Sequence, residues 1–148
     1  MNESDGQAPM LHVSLKSQYA IKALVRLALA TTPEPVQARD IAAYGSIPTK
    51  FLEQVMHDLR QAGYVHSQRG KRGGYVLARP AAEISFAEVI DTIEGTNGSV
   101  ARMRPGDQAE LLVQPVWLEV RTRVREVLEQ ATIAAAAERA AAAPMYYI

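Results

Sequence analysis

The stretch VQARDIAAYGSIPTKFLEQVMHDLRQAGYVHSQRGKRGGYVL, residues 36–77, decides the fold of this chain. Its pattern predicts two helices joined by a tight turn, then a strand, a basic glycine-rich loop and a second strand. A helix pair with a short glycine-containing turn is typical of the helix-turn-helix, and two strands behind it form a wing. Such units read duplex DNA, so the stretch predicts a DNA-binding domain.

The second helix of the pair has the clearest pattern. Pro48 and Thr49 mark its start, because the missing N–H of proline would have no partner in a first turn anyway. An apolar stripe at helical spacing predicts its buried face: Leu52, Val55, Met56 and Leu59. Gly63 follows where a helix needs a left-handed C-terminal residue. The opposite face is polar and can form hydrogen bonds through Thr49, Lys50, Glu53, Gln54 and His57.

The first helix of the pair is predicted over residues 38–44, with Ile41 and Ala42 facing inward. Gly45 and Ser46 supply the turn, and Ile47 fills the space between the two helices. Together the two segments have the spacing of a helix-turn-helix.

The segment after Gly63 changes period and predicts the wing. Apolar and polar residues alternate over 64–67 and again over 74–77, as in short strands. The loop between these strands, residues 68–73, holds three cations within four positions: Arg69, Lys71 and Arg72. Such a loop can press against phosphates or enter a groove, or it can be a solvated hairpin tip. Its position directly behind a recognition helix favours contact with DNA.

The composition is that of an ordinary globular protein, with 48% hydrophobic and 22% charged residues in 148. No apolar run approaches the roughly 18 residues of a membrane span, and no secretory pattern opens the chain. With no cysteine, the chain has no disulfide, no thiolate metal site and no cysteine nucleophile. We therefore expect a cytoplasmic protein without a cofactor.

The charge is zero overall but unevenly distributed. Residues 10–79 hold ten Lys/Arg and four Asp/Glu, whereas residues 80–148 hold six Lys/Arg and ten Asp/Glu. The basic part coincides with the predicted winged helix, which favours a nucleic-acid partner.

Two further helices are predicted around the winged stretch. One covers residues 14–30, with Ser17 as its N-cap and with Lys16 and Gln18 at its start, where they can meet a phosphate. The other covers residues 86–94, where Ser85 and Glu88 form a capping box.

The chain divides into five predicted parts. Residues 1–9 are a disordered leader, 10–95 the winged helix DNA-binding domain, 96–108 a linker loop, 109–143 a dimerisation helix and 144–148 a tail. The long helix is one helix, or two that meet near Pro115. Its apolar stripe exceeds the core available upstream, so we expect it to pack on a second subunit, the alternative being packing on its own domain. The stripe comprises Val113, Val116, Trp117, Val120, Val124, Val127 and Leu128.

Three segments resemble the Rrf-type winged-helix transcriptional regulators: SQYAIKALVRLAL (17–29), IPTKFLEQVMHDLRQAGYVHSQRGKRGGYVLARP (47–80) and ISFAEVIDTIEG (84–95). This family includes iron–sulfur-cluster, nitric-oxide-sensing and cysteine-metabolism regulators. The resemblance implies a mainly helical homodimer crossed by the long helix, with recognition helices in successive major grooves and wings at the minor groove. By position, Arg69 corresponds to the wing arginine, and the recognition-helix residues correspond to Thr49, Lys50, Phe51 and Glu53. Phe51 either touches a sugar or thymine methyl or simply packs.

The chain departs from the cluster-binding members of that family. Those members carry three cysteines between the fourth helix and the long helix, and some add a histidine near the position of Gln114 here. Because clusters require thiolates, the resemblance is to a cysteine-free branch without an iron–sulfur cluster.

The leading hypothesis is a homodimeric, sequence-specific regulator, a repressor, that reads an inverted-repeat operator. Phosphate contacts would come from Lys16, Arg69, Lys71 and Arg72, and Lys50, Glu53 and Gln54 would read base edges. The alternative is a regulator controlled mainly by a partner protein or small ligand at the linker or long helix. An enzyme is disfavoured, because His12, His57 and His66 are scattered and the glycines of the wing lack P-loop spacing.

Overall fold

The computed structural model describes residues 13–95 and 108–143, with side chains from residue 112 onward in the second range. The described elements are α1 Leu15–Ala28, α2 Ala38–Gly45, α3 Thr49–Gln61, β1 Val65–Gln68, β2 Gly74–Leu77, α4 Phe86–Glu94, α5 Gln108–Gln130 and α6 Ile133–Ala142, with a 3₁₀ turn at Ala81–Glu83. The predicted leader, the tail and all of the predicted linker except Gln108 lie outside the described residues. The predicted class, mainly helical with a two-stranded wing, is confirmed.

The core is built around α1, which packs against α2, α3, α4 and α6. The largest fully buried side chains of the core come from five different parts of the chain: Leu24, Ile41, Met56, Leu59, Ile84 and Ile133. The predicted buried stripe of α3 is confirmed, since Leu52, Val55, Met56 and Leu59 are all buried. This stripe fixes which face of α3 is left for solvent.

The end of α3 shows why Gly63 is required. Gly63 has a φ of 84°, in the left-handed region, and the Tyr64 N–H donates to the Leu59 carbonyl at 2.9 Å. This bond five residues back is the Schellman arrangement that closes a helix. Tyr64 therefore belongs to the helix cap, and β1 starts one residue later than predicted, at Val65.

The N-cap of α1 is Ser14, so the prediction of Ser17 is wrong. The Ser14 hydroxyl accepts the Ser17 N–H at 3.1 Å, while Ser17 lies in the first turn and is fully buried. The predicted cap of α4 is confirmed, because the Ser85 hydroxyl accepts the Glu88 N–H at 3.2 Å. The capping box is incomplete, however, since the Glu88 carboxylate accepts from Arg79 at 2.8 Å.

The wing is a two-stranded antiparallel sheet with Val65 opposite Leu77 and Gln68 opposite Gly74. Strand β2 also pairs with the segment before α2, because Val36 and Tyr75 exchange two backbone hydrogen bonds of 2.9 Å. The backbones approach so closely that a Cβ on Gly74 would lie 2.3 Å from the Val36 carbonyl oxygen. A glycine at this position therefore lets the start of β2 join the segment that leads into the helix pair.

The C-terminal stretch differs from both predicted forms, one helix over 109–143 or a junction near Pro115. Helix α5 runs through Pro115 and ends at Gln130, and α6 starts at Ile133. Between them the chain extends, pairs Thr132 with Ser85, and donates the Ile133 N–H to the Ile84 carbonyl at 2.9 Å. The Thr132 hydroxyl then caps α6 by accepting the Ala135 N–H at 3.1 Å. As a result, α6 packs on α1 within the winged-helix core, with Ile133 fully buried.

Candidate nucleic-acid interface

The exposed face of α3 is the first part of the candidate interface. Thr49, Lys50, Glu53, Gln54 and His57 are all exposed. Their spacings of three and four residues place them on the side of the helix opposite the buried stripe. The helix therefore presents donors, acceptors and both signs of charge over about two turns, which is the chemistry needed to read base edges in a major groove.

Phe51 sits at the margin of that face. Its ring centroid lies 6.0 Å from the Tyr19 ring at an interplanar angle of 52°, a tilted aromatic contact with α1. The residue nevertheless remains 42% exposed. Packing against Tyr19 accounts for one side of the ring, and the other side is accessible from solvent.

The wing forms the second part of the interface. Arg69, Lys71 and Arg72 are all exposed, and the turn that carries them is closed by the Gly73 N–H donating to the Gly70 carbonyl at 2.9 Å. Strand β1 turns Val65 into the core and leaves its next three residues exposed. A closed turn that presents three cations is suited to phosphate contact in a groove.

Arg60 links the two parts and is absent from the sequence-based set of site residues. It is exposed in the last turn of α3, and its Nη1 lies 3.5 Å from the Ser67 hydroxyl of β1. The signal was present in the sequence, since Arg60 stands three residues after His57 and seven after Glu53 and so shares their face. The exposed polar surface thus continues from α3 to the wing.

Arg79 supports the base of the wing from behind. Its guanidinium lies 5.1 Å from the centroid of the Tyr64 ring, donates to Glu88 at 2.8 Å and donates to the Glu83 carbonyl at 3.1 Å. The Tyr64 hydroxyl in turn lies 3.1 Å from the Thr92 hydroxyl. These contacts tie both strands to α4.

The start of α1 is arranged differently from the sequence-based expectation. Lys16 pairs with Asp58 of α3 at 2.6 Å, and the Gln18 side chain donates to the Val13 carbonyl at 2.9 Å. Both predicted phosphate contacts are therefore engaged within the chain. Lys16 lies beside α3, but its charge is balanced by the Asp58 carboxylate. The three wing cations, in contrast, are exposed to solvent.

Comparison with known proteins agrees with this geometry. A family model described as Rrf2, iron-dependent transcriptional regulator, matches residues 13–139. The chain belongs to the Rrf2 family. Its members are transcriptional regulators rather than enzymes, in agreement with the expectation from the scattered histidines.

Individual Rrf2-type relatives cover most of the chain. A Mycobacterium tuberculosis protein, provisionally assigned as an HTH-type transcriptional regulator, is 39% identical over 128 residues, 84% of this chain and 80% of its own. The structure of CymR, the global cysteine regulator of Bacillus subtilis, superimposes with a TM-score of 0.76 at 30% identity, covering 87% of this chain and 98% of CymR. IscR of T. potens gives a TM-score of 0.70 at 33% identity, with 93% and 96% covered.

The chain has no thiolate ligands for the iron named in the description of the Rrf2 model. The sequence contains no cysteine, and thiolates are the ligands that hold iron–sulfur clusters. Within residues 13–95 and 112–143, no three His, Asp or Glu side chains are grouped to hold a metal ion, and His57 and His66 are both exposed. His12 lies outside these ranges. This member of the family therefore lacks the donor set for a cluster.

Helix α5 presents the apolar stripe that the sequence indicates for dimerisation. Four of its residues are exposed, Val113 by 45%, Val116 by 58%, Trp117 by 40% and Val127 by 66%. The other three, Val120, Val124 and Leu128, are half-buried. In the described part of the chain, then, none of the seven belongs to the buried core, and the stripe is available to a partner.

A bidentate ion pair attaches α5 to α4. The guanidinium of Arg125 donates to the two carboxylate oxygens of Asp91 at 2.8 and 2.7 Å, and its Nε donates to Glu129 at 2.8 Å. The hydrogen bond to Asp91, followed by that to Glu129, raises the pKa of Arg125 above its ordinary value. Arg125 therefore keeps its positive charge at any physiological pH. Among the described residues, no helix is both long and apolar enough to span a membrane.

Proposed function

We propose that this chain is a homodimeric, sequence-specific, cytoplasmic regulator that represses transcription by binding an inverted-repeat operator without an iron–sulfur cluster. One observation carries the proposal. The exposed polar face of α3 continues through Arg60 and Ser67 into a wing whose three cations are exposed. A base-reading helix and a phosphate-binding loop are thereby presented on one connected surface of a fold that belongs to transcriptional regulators.

The chemistry of each side chain on α3 indicates which base it would prefer. Lys50 matches the acceptors of guanine, Gln54 the donor–acceptor pair of adenine, and Glu53 the amino group of cytosine. Thr49 and the exposed side of Phe51 suit a backbone oxygen or a thymine methyl. We assign these contacts to specificity and those of the wing to affinity.

The apolar stripe of α5 supports the dimer. It repeats at spacings of three and four residues from Val113 to Leu128, the pattern of a helix that packs along a second helix. A two-fold axis through that contact would present two copies of α3 to DNA. The operator would then have half-sites about one helical turn apart.

A second candidate, control by a protein partner or small ligand, is favoured by Leu118. This residue is 41% exposed and stands nine residues before Val127, which places the two side chains on opposite sides of α5. A single partner helix over the stripe would leave Leu118 uncovered. A stoichiometric protein that copurifies with the chain would support this candidate.

Selection of genomic DNA fragments on the purified protein at two salt concentrations tests the proposed function. Enrichment of an inverted repeat that survives the higher salt is the expected result, because base contacts persist when phosphate contacts are screened. A Glu53→Ala variant should still bind but select a different base at one position of each half-site. The proposal would be refuted if all binding were lost at the higher salt and the selected fragments shared no sequence.

A further inference from the structure

Helix α4 uses its polar residues to reach four different elements. Each bond leads to a separate part of the fold: Glu88 to Arg79 after β2, Thr92 to Tyr64 before β1, Asp91 to Arg125 of α5, and Glu94 to the start of α1. The apolar side of the same helix, Val89 and Ile90, is buried in the core. A short helix with this many cross-links holds its neighbours in fixed relative positions.

The contact between Glu94 and the start of α1 joins three residues. One carboxylate oxygen of Glu94 accepts both the Ser14 N–H at 2.7 Å and the Ser17 hydroxyl at 3.0 Å. The Ser14 hydroxyl donates to Ser17 Oγ at 3.1 Å, so Glu94, Ser14 and Ser17 form one connected network around a fully buried serine. The first turn of α1 contains no acidic residue. Glu94 thus supplies, from another helix, the negative charge that favours a helix N-terminus.

Lys16 lies within this anchored turn, between the two serines. Its ammonium group meets the Asp58 carboxylate at 2.6 Å, with each side chain about one-third exposed. Asp58 directly follows His57 on α3, next to the exposed polar face. The orientation of the first turn of α1 therefore determines whether Lys16 can hold α3 by this pair.

We propose that Glu94 is a positioning residue for DNA recognition, which fixes the start of α1 so that Lys16 and Asp58 set the rotation of α3. The inference rests on the proposed function, since it concerns the same DNA-reading surface. It adds a residue that lies on another helix, at the C-terminal end of α4. Because Asp91 of the same helix is tied to α5, α4 also relates the α5 stripe to the recognition helix.

Operator affinity measured in a double-mutant cycle of Glu94→Ala and Lys16→Ala tests the proposal. Glu94→Ala should weaken operator binding by about 2- to 30-fold, the usual range for residues that act through a contact network. In the Lys16→Ala background the same change should have less than about a 2-fold effect, because the path through Lys16 is already broken. Glu138→Ala, an exposed carboxylate on α6, is the matched control and should leave affinity unchanged.

Two further measurements separate this proposal from the proposed function and from misfolding. Amide hydrogen exchange without DNA should show faster exchange at residues 15–18 and around Asp58 in Glu94→Ala, independently of any operator. Glu94→Gln keeps an acceptor oxygen for both serine donors, so it should lie closer to wild type than Glu94→Ala, which reports on positioning even where the alanine variant is unstable.

Additive effects of the two substitutions, or unchanged exchange around Asp58, would overturn the positioning role while leaving the DNA-binding proposal intact. Failure of the wild-type chain to select an operator, with the exchange changes present, would instead count against the proposed function alone.

Discussion

The two neighbouring cations at the tip of the wing, Lys71 and Arg72, give the sharpest test of the DNA-binding surface. Both are exposed, and the substitutions Lys71→Gln and Arg72→Gln together remove their charges without disturbing the core. A dimer carries the pair twice, so four positive charges are lost from the proposed interface.

The expected effect is a change in salt dependence. Each cation at a phosphate releases one condensed counterion, so four cations contribute at most about 3.6 to the slope of log affinity against log salt. The double variant should therefore show a slope shallower by about 3, and the affinity advantage of wild type should shrink by about 60-fold between about 50 and about 200 mM salt.

Fluorescence anisotropy with a labelled operator duplex at four or more salt concentrations measures this slope. Arg139→Gln provides the control. It removes an exposed cation of α6, a helix that lies far from the wing in the sequence. Equal slopes for wild type and the double variant would refute the assignment of the wing tip to phosphates. The reasoning would also fail if Arg139→Gln changed the slope as much as the wing substitutions.

Three other substitutions, one of them with a control variant, test separate features. Arg69→Ala should cost about 1–3 kcal/mol of operator affinity in the same assay if this side chain enters a groove, and an unchanged affinity would remove it from the interface. Gly74→Ala should lower the free energy of unfolding in urea by about 1–3 kcal/mol, because its Cβ would lie 2.3 Å from the Val36 carbonyl oxygen. A Gly63→Ala variant is the control: its Cβ would meet open space, so its loss of stability reports only the cost of a left-handed backbone at alanine. A Gly74→Ala protein as stable as wild type would contradict the close approach of Gly74 to Val36. Trp117→Glu should convert the dimer to monomers in sedimentation velocity, and a persistent dimer would place the interface elsewhere.

The recognition helix and wing were predictable because their signals are local. The buried stripe of α3 follows from a period near 3.6, and β2 from a period of two, each within one short segment. Gly63 marks a left-handed residue that few other types adopt readily. These features need no knowledge of what the segment packs against.

The role of Lys16 could not be read from the sequence in the same way. A cation in the first turn of a helix is compatible with a phosphate contact, and its actual partner, Asp58, lies 42 positions further along the chain. The N-cap of α1 is a similar case, because Ser17 fits the local pattern of a cap but its hydroxyl donates to Glu94, 77 positions along the chain. Long-range partners of this kind follow from the tertiary packing alone.

The end of α5 was obscured by composition. Alanines dominate residues 134–143 and favour helix throughout, so the hydroxyl of Thr132 is the only local sign of a new start. What separates α5 from α6 is the pairing of residues 131–133 with residues 84–86, which is a contact between distant segments. Helix propensity gives no information about such a pairing.

The burial of Ile133 has a consequence for how this molecule can be divided. The hydrophobic centre that supports the DNA-reading surface is completed by a segment encoded after α5, so the functional unit is discontinuous along the chain. A fragment cut after Gly95 would lack Ile133 and Ala137 and would expose the side of α1 that they cover. Helix α5 is therefore an insertion between two parts of one folding unit. A variant with a shortened α5 should fold only if α6 can still pack on α1.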